Sequence, residues 1–446
     1  MNSEQQKIEE LGAESKNERT DTHRLGDLID TIGGGTPKTD TDEYWGGENL
    51  WLTPTEVSDE KNIHISDTDR KLTDTGLANT SAKTLPPGSV LMTSRATVGV
   101  PVINTEPMAT NQGFIGMKIR DKNQLNNYYL LYWLKNQKSL IMNHASGSTY
   151  PEISQRSFND LEIELPSIHR QIKIASILRV LDEKIEVNNQ IAENLEEIAQ
   201  SIFKSRFVDF EPYAEFKKSD IGDVPVDFSV SSLETVLTFQ RGYSYSGDDL
   251  IDDESDLEPS EGHPMINLGT ISPGGGYKTD GIKFSRNLPK DRYRVEPGDL
   301  VISHTDMTQD LEILGSPVLV PELAQGEMLF SHHLYKVVET DLPVEYLYYY
   351  FLSPYFKPKA ENFASGTTVL SFSSKIASDV HIPIPPQSVL EQYVEKVRPI
   401  FAKKEEIRKE NNRLADLRDT LLPKLMSSEI RVDDIKLDEL KLDSEV

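Results

Sequence analysis

A chain of 446 residues, 37% hydrophobic and 8% aromatic, has material for two or three packed domains and is too apolar to be an acidic disordered chain. With no cysteine it can hold neither a disulfide framework nor a thiolate metal site, a usage that fits a reducing cytoplasm. The 73 acidic residues against 47 basic ones leave a net charge of −26, which points either to a basic partner or to a surface adapted to salt. Salt adaptation is the preferred reading.

Residues 1–22 are polar, lack the apolar core of a secretory signal, and read as a disordered tail. No run approaches the ~20 apolar residues that span a bilayer, so a soluble, cytoplasmic protein with no membrane contact is expected. A mixed body follows over residues 23–168. Within it GGGTPKT (residues 33–39) has the wrong spacing for a phosphate-binding loop and reads as a hairpin turn. The apolar strand at residues 163–167 ends in proline, which releases the chain into a long helix over residues 169–206.

That helix carries an apolar heptad stripe through Leu178, Leu181, Ile185, Leu195 and Ile202, with Asn188 as its one polar position. The triplet Asp182-Glu183-Lys184 on the same helix reads as a solvated charged face. Residues 207–229 read as a linker and 230–386 as a second body. Residues 248–261 hold eight acids and no base and read as an exposed loop. Strand alternation predicts that His332 and His333 point to opposite faces, so no metal is expected there. A second helix over residues 387–428 keeps Val397, Ile407, Leu414, Leu417 and Leu421 on one face, interrupted near Lys404 and Asn411. Residues 429–446, with seven acids and three bases, read as a loosely held acidic tail.

The two bodies repeat each other. ASGST (residues 145–149) returns as ASGTT (364–368), LYWL (131–134) as YYFL (349–352), and PPGSVLMTS (86–94) as EPGDLVISH (296–304). NLWLTP (49–54) has a fainter echo in HPMINL (263–268). Shared order and a near-constant offset indicate duplication. The expected fold class is α+β, with two tandem mixed α/β domains each followed by a long helix, and the two stripes bury most simply against each other. No P-loop, GxGxxG, HExxH or GxSxG pattern is present. Without a catalytic constellation, a binding or scaffolding role is expected.

YWGGENLWLTPTEVSD (residues 44–59), SIFKSRFVDF (201–210) and LLPKLMSSEI (421–430) resemble the specificity subunits of Type I restriction–modification systems. The resemblance extends from about residue 23 to 430. Departures are Arg206 and Phe228, where such proteins often carry Trp, and Ser428, where they carry Gly. The resemblance implies two target-recognition domains that each read one half of an asymmetric bipartite site on double-stranded DNA. It also implies an antiparallel coiled coil that spaces them and docks modification subunits, two in number. The chain itself would be non-catalytic and bind no cofactor; S-adenosylmethionine, ATP and Mg would belong to the modification and restriction subunits. The competing reading is a coiled-coil scaffold that binds proteins without DNA specificity.

Candidate DNA contacts follow from local charge and hydrogen-bonding type. Residues 90–160 hold seven bases against four acids, among them Arg95, Lys118 and Arg156. Residues 281–294 hold five bases and one acid, among them Lys283, Arg292 and Arg294. Small hydroxyl-bearing loops at Ser146, Gly147, Ser148 and Thr149, and at Ser365, Gly366, Thr367 and Thr368, suit close approach to phosphates and base edges. The amides of Asn111 and Gln112 can read adenine, and His304 ends the strand of the second repeat. Concentrated salt weakens phosphate contacts, so a salt-adapted reader relies more on base edges.

Overall fold

Val90–Thr93 leaves a turn at Gly88, whose φ of +81° puts it in the left-handed region, and all four strand residues are buried. It runs antiparallel between Phe114–Ile119 and Pro101–Asn104 in a five-stranded sheet completed by Ile29–Gly33 and His64–Ile65. Leu300–Ser303 leaves Gly298 (φ +90°) in the same way. It lies antiparallel between Leu334–Val338 and Pro317–Leu319 in a four-stranded sheet with Thr238–Arg241 at its edge. The parallel pairing of Trp45–Leu52 with Met108–Thr110 has its counterpart in His263–Ile266 with Met328–Phe330. The apolar repeats LYWL and YYFL lie on the helices Asn127–Asn136 and Val344–Leu352, whose side chains fill the two largest cores.

The computed structural model describes residues 21–57, 62–95, 97–147, 151–251, 262–279, 281–308, 310–323 and 327–432. It divides into two units, Met1–Ile191 with Ile407–Val446, and Ala192–Glu406. The long helices, Ile168–Phe207 and Gln387–Met426, each contribute to both.

In the first unit the helices run antiparallel. Leu178, Leu181 and Ile185 share a core with Leu414, Leu421 and Leu425, and Leu417 packs on its margin. Asn188 donates to Glu410 and to Asn411 Oδ1, both at 2.8 Å, while Asn411 donates to Asn189 at 2.8 Å. The polar interruptions in the two stripes thus face each other and satisfy each other, which penalises any other register. In the second unit Val397 is buried with Ala199, Phe203 and Phe207, Ile202 packs beside them, and Leu195 is half-buried. Lys404, the other interruption, pairs with Glu196. Ile407 is buried in the first unit.

The charged triplet departs from expectation. Asp182 is only 4% exposed. It accepts from Tyr132 Oη at 2.8 Å and Arg418 Nη1 at 2.6 Å, with Lys135 Nζ at 3.6 Å. Two cations and a phenol offset the cost of burying the carboxylate, and they come from residues far away in sequence. One turn on, Glu186 accepts from the backbone N–H groups of Ile63 and His64 and pairs with the His64 ring at 2.7 Å.

Other local expectations also change. GGGTPKT joins the five-stranded sheet to the three-stranded sheet that contains Trp45–Leu52, so it is a crossover and not a hairpin turn. Gly34 is obligatory there, because a Cβ would sit 1.9 Å from the Asn111 carbonyl oxygen. The linker contains the hairpin Phe216–Ser219/Gly222–Pro225, and Ser229–Ser232 pairs with His381–Ile384. At the acidic loop Ile251 is buried in a strand, and residues 252–261 lie outside the described residues. The start of the acidic tail is held, since Ile430 and Val432 join the first core; residues 433–446 lie outside the description, as do residues 1–20.

Candidate nucleic-acid interface

Each repeat carries a small hairpin anchored to the end of its central strand. In the first unit, Ser146 and Glu152 exchange backbone hydrogen bonds of 2.8 and 2.9 Å across a turn that contains Gly147 at φ +99°. The outgoing arm then docks on the central strand: Arg95 bridges Glu152, and Ile153 N–H donates to the Ser94 carbonyl at 3.1 Å. Arg95 Nε also meets Glu152 Oε1 at 2.8 Å, with both side chains 46% exposed. On the other side Ser94 N–H donates to the Gly113 carbonyl at 2.7 Å, which brings in the turn at Asn111 and Gln112. Arg95, Ser146, Gly147 and that turn therefore form one cluster. Ser148 and Thr149 lie outside the described residues.

The amides are partly committed. Asn111 Oδ1 accepts from Gly113 N–H at 2.8 Å, an internal turn bond, and Gln112 Oε1 accepts from Thr36 at 2.5 Å. Their NH₂ groups are the parts free for recognition. Lys118 is exposed but sits four residues along the strand from Phe114, about 13 Å from the cluster. Arg156 is exposed on the short helix Gln155–Asn159, just past the hairpin.

The second unit repeats the backbone and changes the side chains. Ser365 and Ser371 exchange hydrogen bonds of 3.0 Å around Gly366 (φ +135°), where a Cβ would lie 2.1 Å from the Val369 carbonyl. Phe372 N–H donates to the His304 carbonyl at 3.0 Å, and Thr305–Asp306 pairs with Leu370–Ser371. Ser365, Gly366, Thr367 and Thr368 are exposed. Asp306 is fully buried and accepts from the N–H groups of Thr308, Ile313 and Leu314, which organises the neighbouring loop.

His304 is not available to DNA. It is 4% exposed, stacks on Tyr335 with ring centroids 4.0 Å apart, and places Nε2 2.9 Å from the His332 carbonyl oxygen. Burial pushes its pKa down to about 4, so it is a neutral core group. His332 and His333 occupy the turn before Leu334–Val338, where strand alternation does not apply, and their rings lie 4.0 Å apart on one side. His333 Nδ1 meets Thr305 Oγ1 at 2.9 Å. Among the described residues no group of three His, Asp or Glu is arranged for a metal.

Of the candidate bases in the second island, Lys283 and Arg294 lie on strands of a different sheet from this hairpin, and Arg292 lies in the turn before Arg294. Lys283 is exposed on its strand, and the Arg292 guanidinium lies over the Tyr293 ring at 4.6 Å. Arg294 is matched by Asp291 at 3.3 Å and Glu327 at 2.8 Å, which leaves little net positive charge for phosphate. Conversely, the Arg70 guanidinium stacks 3.4 Å over Trp45, which packs edge-on to Trp51 at 5.1 Å. Trp45 was visible in the YWGGENLW string; its cation partner, 25 residues on, carries no motif of its own.

Leu178, Leu181, Ile185, Asn188, Val397, Ile407, Leu414 and Leu421 are consumed by internal packing and cannot face a partner. The exposed apolar residues of the first long helix are others: Ile172 (46%), Val187 (55%), Ile191 (40%) and Ile198 (51%), of which Val187 and Ile191 lie one turn apart in the first unit.

Residues 17–197 match the family model for the Type I restriction modification DNA specificity domain. The chain is 27% identical over 420 residues to the MjaIX specificity subunit of Methanocaldococcus jannaschii, covering 93% of this chain and 94% of that protein. The MjaVIII specificity subunit of the same organism is 24% identical, over 71% of this chain and 73% of that protein. In fold, the chain is similar to the crystal structure of a Type I restriction–modification S subunit from M. genitalium, with a TM-score of 0.53 at 16% identity over 92% of this chain and 97% of that one. With the duplicated domains and paired long helices, these likenesses show a chain similar over nearly its whole length to the specificity subunits of Type I restriction–modification systems.

Proposed function

We propose that this chain is the non-catalytic DNA-specificity subunit of a Type I restriction–modification complex. The observation that carries this reading is the pair of equivalent hairpins with different chemistry: Arg95 and Glu152 in one, Thr305 and Ser371 in the other. Equivalent scaffolds with different side chains suit two unlike half-sites of one asymmetric target. Methyl transfer and ATP-driven cleavage, with their S-adenosylmethionine, ATP and Mg, reside on modification and restriction partners. Methylome sequencing of cells carrying this chain with its modification partner is the test. A bipartite asymmetric motif is expected; a perfect palindrome, or no sequence-specific retention of DNA, overturns the reading.

The long helices act as the docking element and set the unread gap between half-sites. Modification subunits, two per chain, dock on exposed rather than buried positions, and Val187 with Ile191 is the apolar pair that supports this. Val187→Asp with Ile191→Asp is expected to cut co-purification of the modification subunit at least tenfold while the chain stays folded. Unchanged co-purification refutes this docking surface. An insertion of about one helical turn after both Asn188 and Asn411 is expected to lengthen the methylated gap by roughly one to two base pairs, with both half-sites kept.

The charge of −26 reflects a surface working in a salty cytoplasm. Stability that rises from low to molar KCl is the expected signature, and a fall over that range contradicts it.

A further inference from the structure

The duplicated fold supplies an internal control for one ion pair. ASGSTYPEI (residues 145–153) and ASGTTVLSF (364–372) align without a gap, so Glu152 corresponds to Ser371 and Ile153 to Phe372. The docking bonds correspond as well, Ile153 N–H to Ser94 and Phe372 N–H to His304, which makes Arg95 the counterpart of Thr305. The second unit closes this hairpin and docks it with a threonine and a serine at the two positions. The Arg95–Glu152 pair is therefore not required to build the hairpin. An exposed ion pair of this kind also contributes little stability.

What the pair does is orient. A lone exposed arginine samples many rotamers, and ordering it on binding costs affinity. Glu152 sits on the docked arm, fixed by backbone bonds to Ser146 and next to the Ser94 contact. Its carboxylate takes the guanidinium at Nε, the nitrogen nearest the stem, at 2.8 Å. The two terminal Nη groups carry the guanidinium's other four N–H donors. A planar fork presented in this way, with its stem restrained, matches the O6 and N7 acceptors of guanine in the major groove. A carboxylate beside the groove also repels phosphate, so it adds nothing to sequence-independent attraction.

We infer that Glu152 is a specificity-determining positioning residue that holds Arg95 for bidentate readout of a guanine in the first half-site. This rests on the DNA-specificity reading above.

The test uses the complex of this chain with its modification subunits and duplexes carrying the methylome-mapped site. Each guanine of the half-site read by the first domain, on either strand, is replaced singly by 7-deazaguanine, which keeps Watson–Crick pairing and removes the N7 acceptor. The intact complex is expected to lose about tenfold or more in affinity at one such guanine. Arg95→Ala is expected to abolish that difference, and Arg95→Lys to leave only part of it. Glu152→Gln is expected to reduce discrimination between guanine and 7-deazaguanine severalfold, while affinity for unrelated DNA holds or rises because a negative charge is gone. A merely structural role would lower both together. Backbone amide exchange around residues 146–153 confirms that the variant hairpin is formed.

A first half-site without guanine, insensitivity to 7-deazaguanine throughout, or undiminished discrimination in Glu152→Gln overturns the inference. An intact complex that shows no preference for the mapped site over unrelated DNA instead overturns the underlying reading of function.

Discussion

In the first unit the mixed α/β body meets the long helices through buried charge: Asp182 between Tyr132, Lys135 and Arg418, and Glu186 on the Ile63 and His64 N–H groups. In the second unit the corresponding junction is chiefly a cluster of rings, with one buried carboxylate, Glu345, that accepts from Arg398 Nε at 2.6 Å. Phe207 lies edge-on to Tyr346 at 5.0 Å and to Tyr393 at 5.1 Å, Phe203 packs on Tyr346 at 5.6 Å, and Phe210 on Phe228 at 5.7 Å. The two chemistries fail differently. A ring cluster loses energy in proportion to the area removed, whereas a buried ion network depends on every partner, because each loss strands a charge.

The largest effect expected from this contrast is at Arg418. Arg418→Met leaves Asp182 buried with its closest cation gone, and about 3–5 kcal/mol of stability in the first unit should disappear. Replacing Asp182 by Leu in the same chain should restore part of it, since the stranded charge is removed. Denaturant titration followed by hydrogen exchange assigns the loss to a unit. An Arg418→Met variant as stable as the parent would mean that water or Lys135 compensates the carboxylate, and the contrast between the units would fall.

Acid should act on the second unit. The folded protein holds His304, and His333 beside it, down to about 4, in both cases chiefly through burial, while an unfolded chain takes up the proton near 6.5. Protons therefore favour the unfolded state. The stabilising contribution is fully present above about pH 6.5 and is lost as pH falls towards 4, on the order of 3 kcal/mol for His304. His304→Phe, which keeps a ring against Tyr335, should flatten this pH dependence. Equal acid lability of both units by hydrogen exchange would contradict it. A smaller effect belongs to the rings: Phe207→Leu should cost only about 1–2 kcal/mol, because neighbouring aromatics partly refill the space.

These contrasts also mark where sequence reading reaches its limit. The heptad stripes, the strands after Pro-Gly and the duplicated hairpins were legible because each rests on local periodicity or on a short string that repeats. Asp182 was misread as solvated because its burial is decided by Tyr132, 50 residues away, and by Arg418, 236 residues away. His304 closes a strand motif and was offered to DNA, but Tyr335 and His332 enclose it from a part of the chain that the motif does not contain. Arg95 was recognisable as a cation in a basic island. Its partner Glu152 was not, because a carboxylate 57 residues on counts against DNA binding until the fold pairs it with the guanidinium. The chemistry of single side chains can be read early; their pairing depends on topology.

The smallest effect concerns the ends of the two helices, where the chain departs from the pattern of the specificity subunits it resembles. Ser428, two residues past Gln387–Met426, holds φ at +65°, and Phe210, three residues past Ile168–Phe207, holds φ at +53°. Both occupy the left-handed region, which costs a non-glycine residue roughly 1–2 kcal/mol. At Phe210 the strain is offset, because the ring is buried against Phe228 and Tyr213, and the side chain cannot be given up. Ser428 has no such compensation: it is exposed, and only its backbone N–H is engaged, in a long 3.4 Å bond to Leu425. Ser428→Gly removes the strain and gives back part of the gain as backbone entropy of the unfolded chain. The net expectation is a stabilisation of about 0.5–1 kcal/mol, read as a higher denaturation midpoint of the first unit with an unchanged slope. A destabilised variant would show that the serine side chain holds Ile430 and Val432 in the first core, and that the departure from glycine is itself part of the packing.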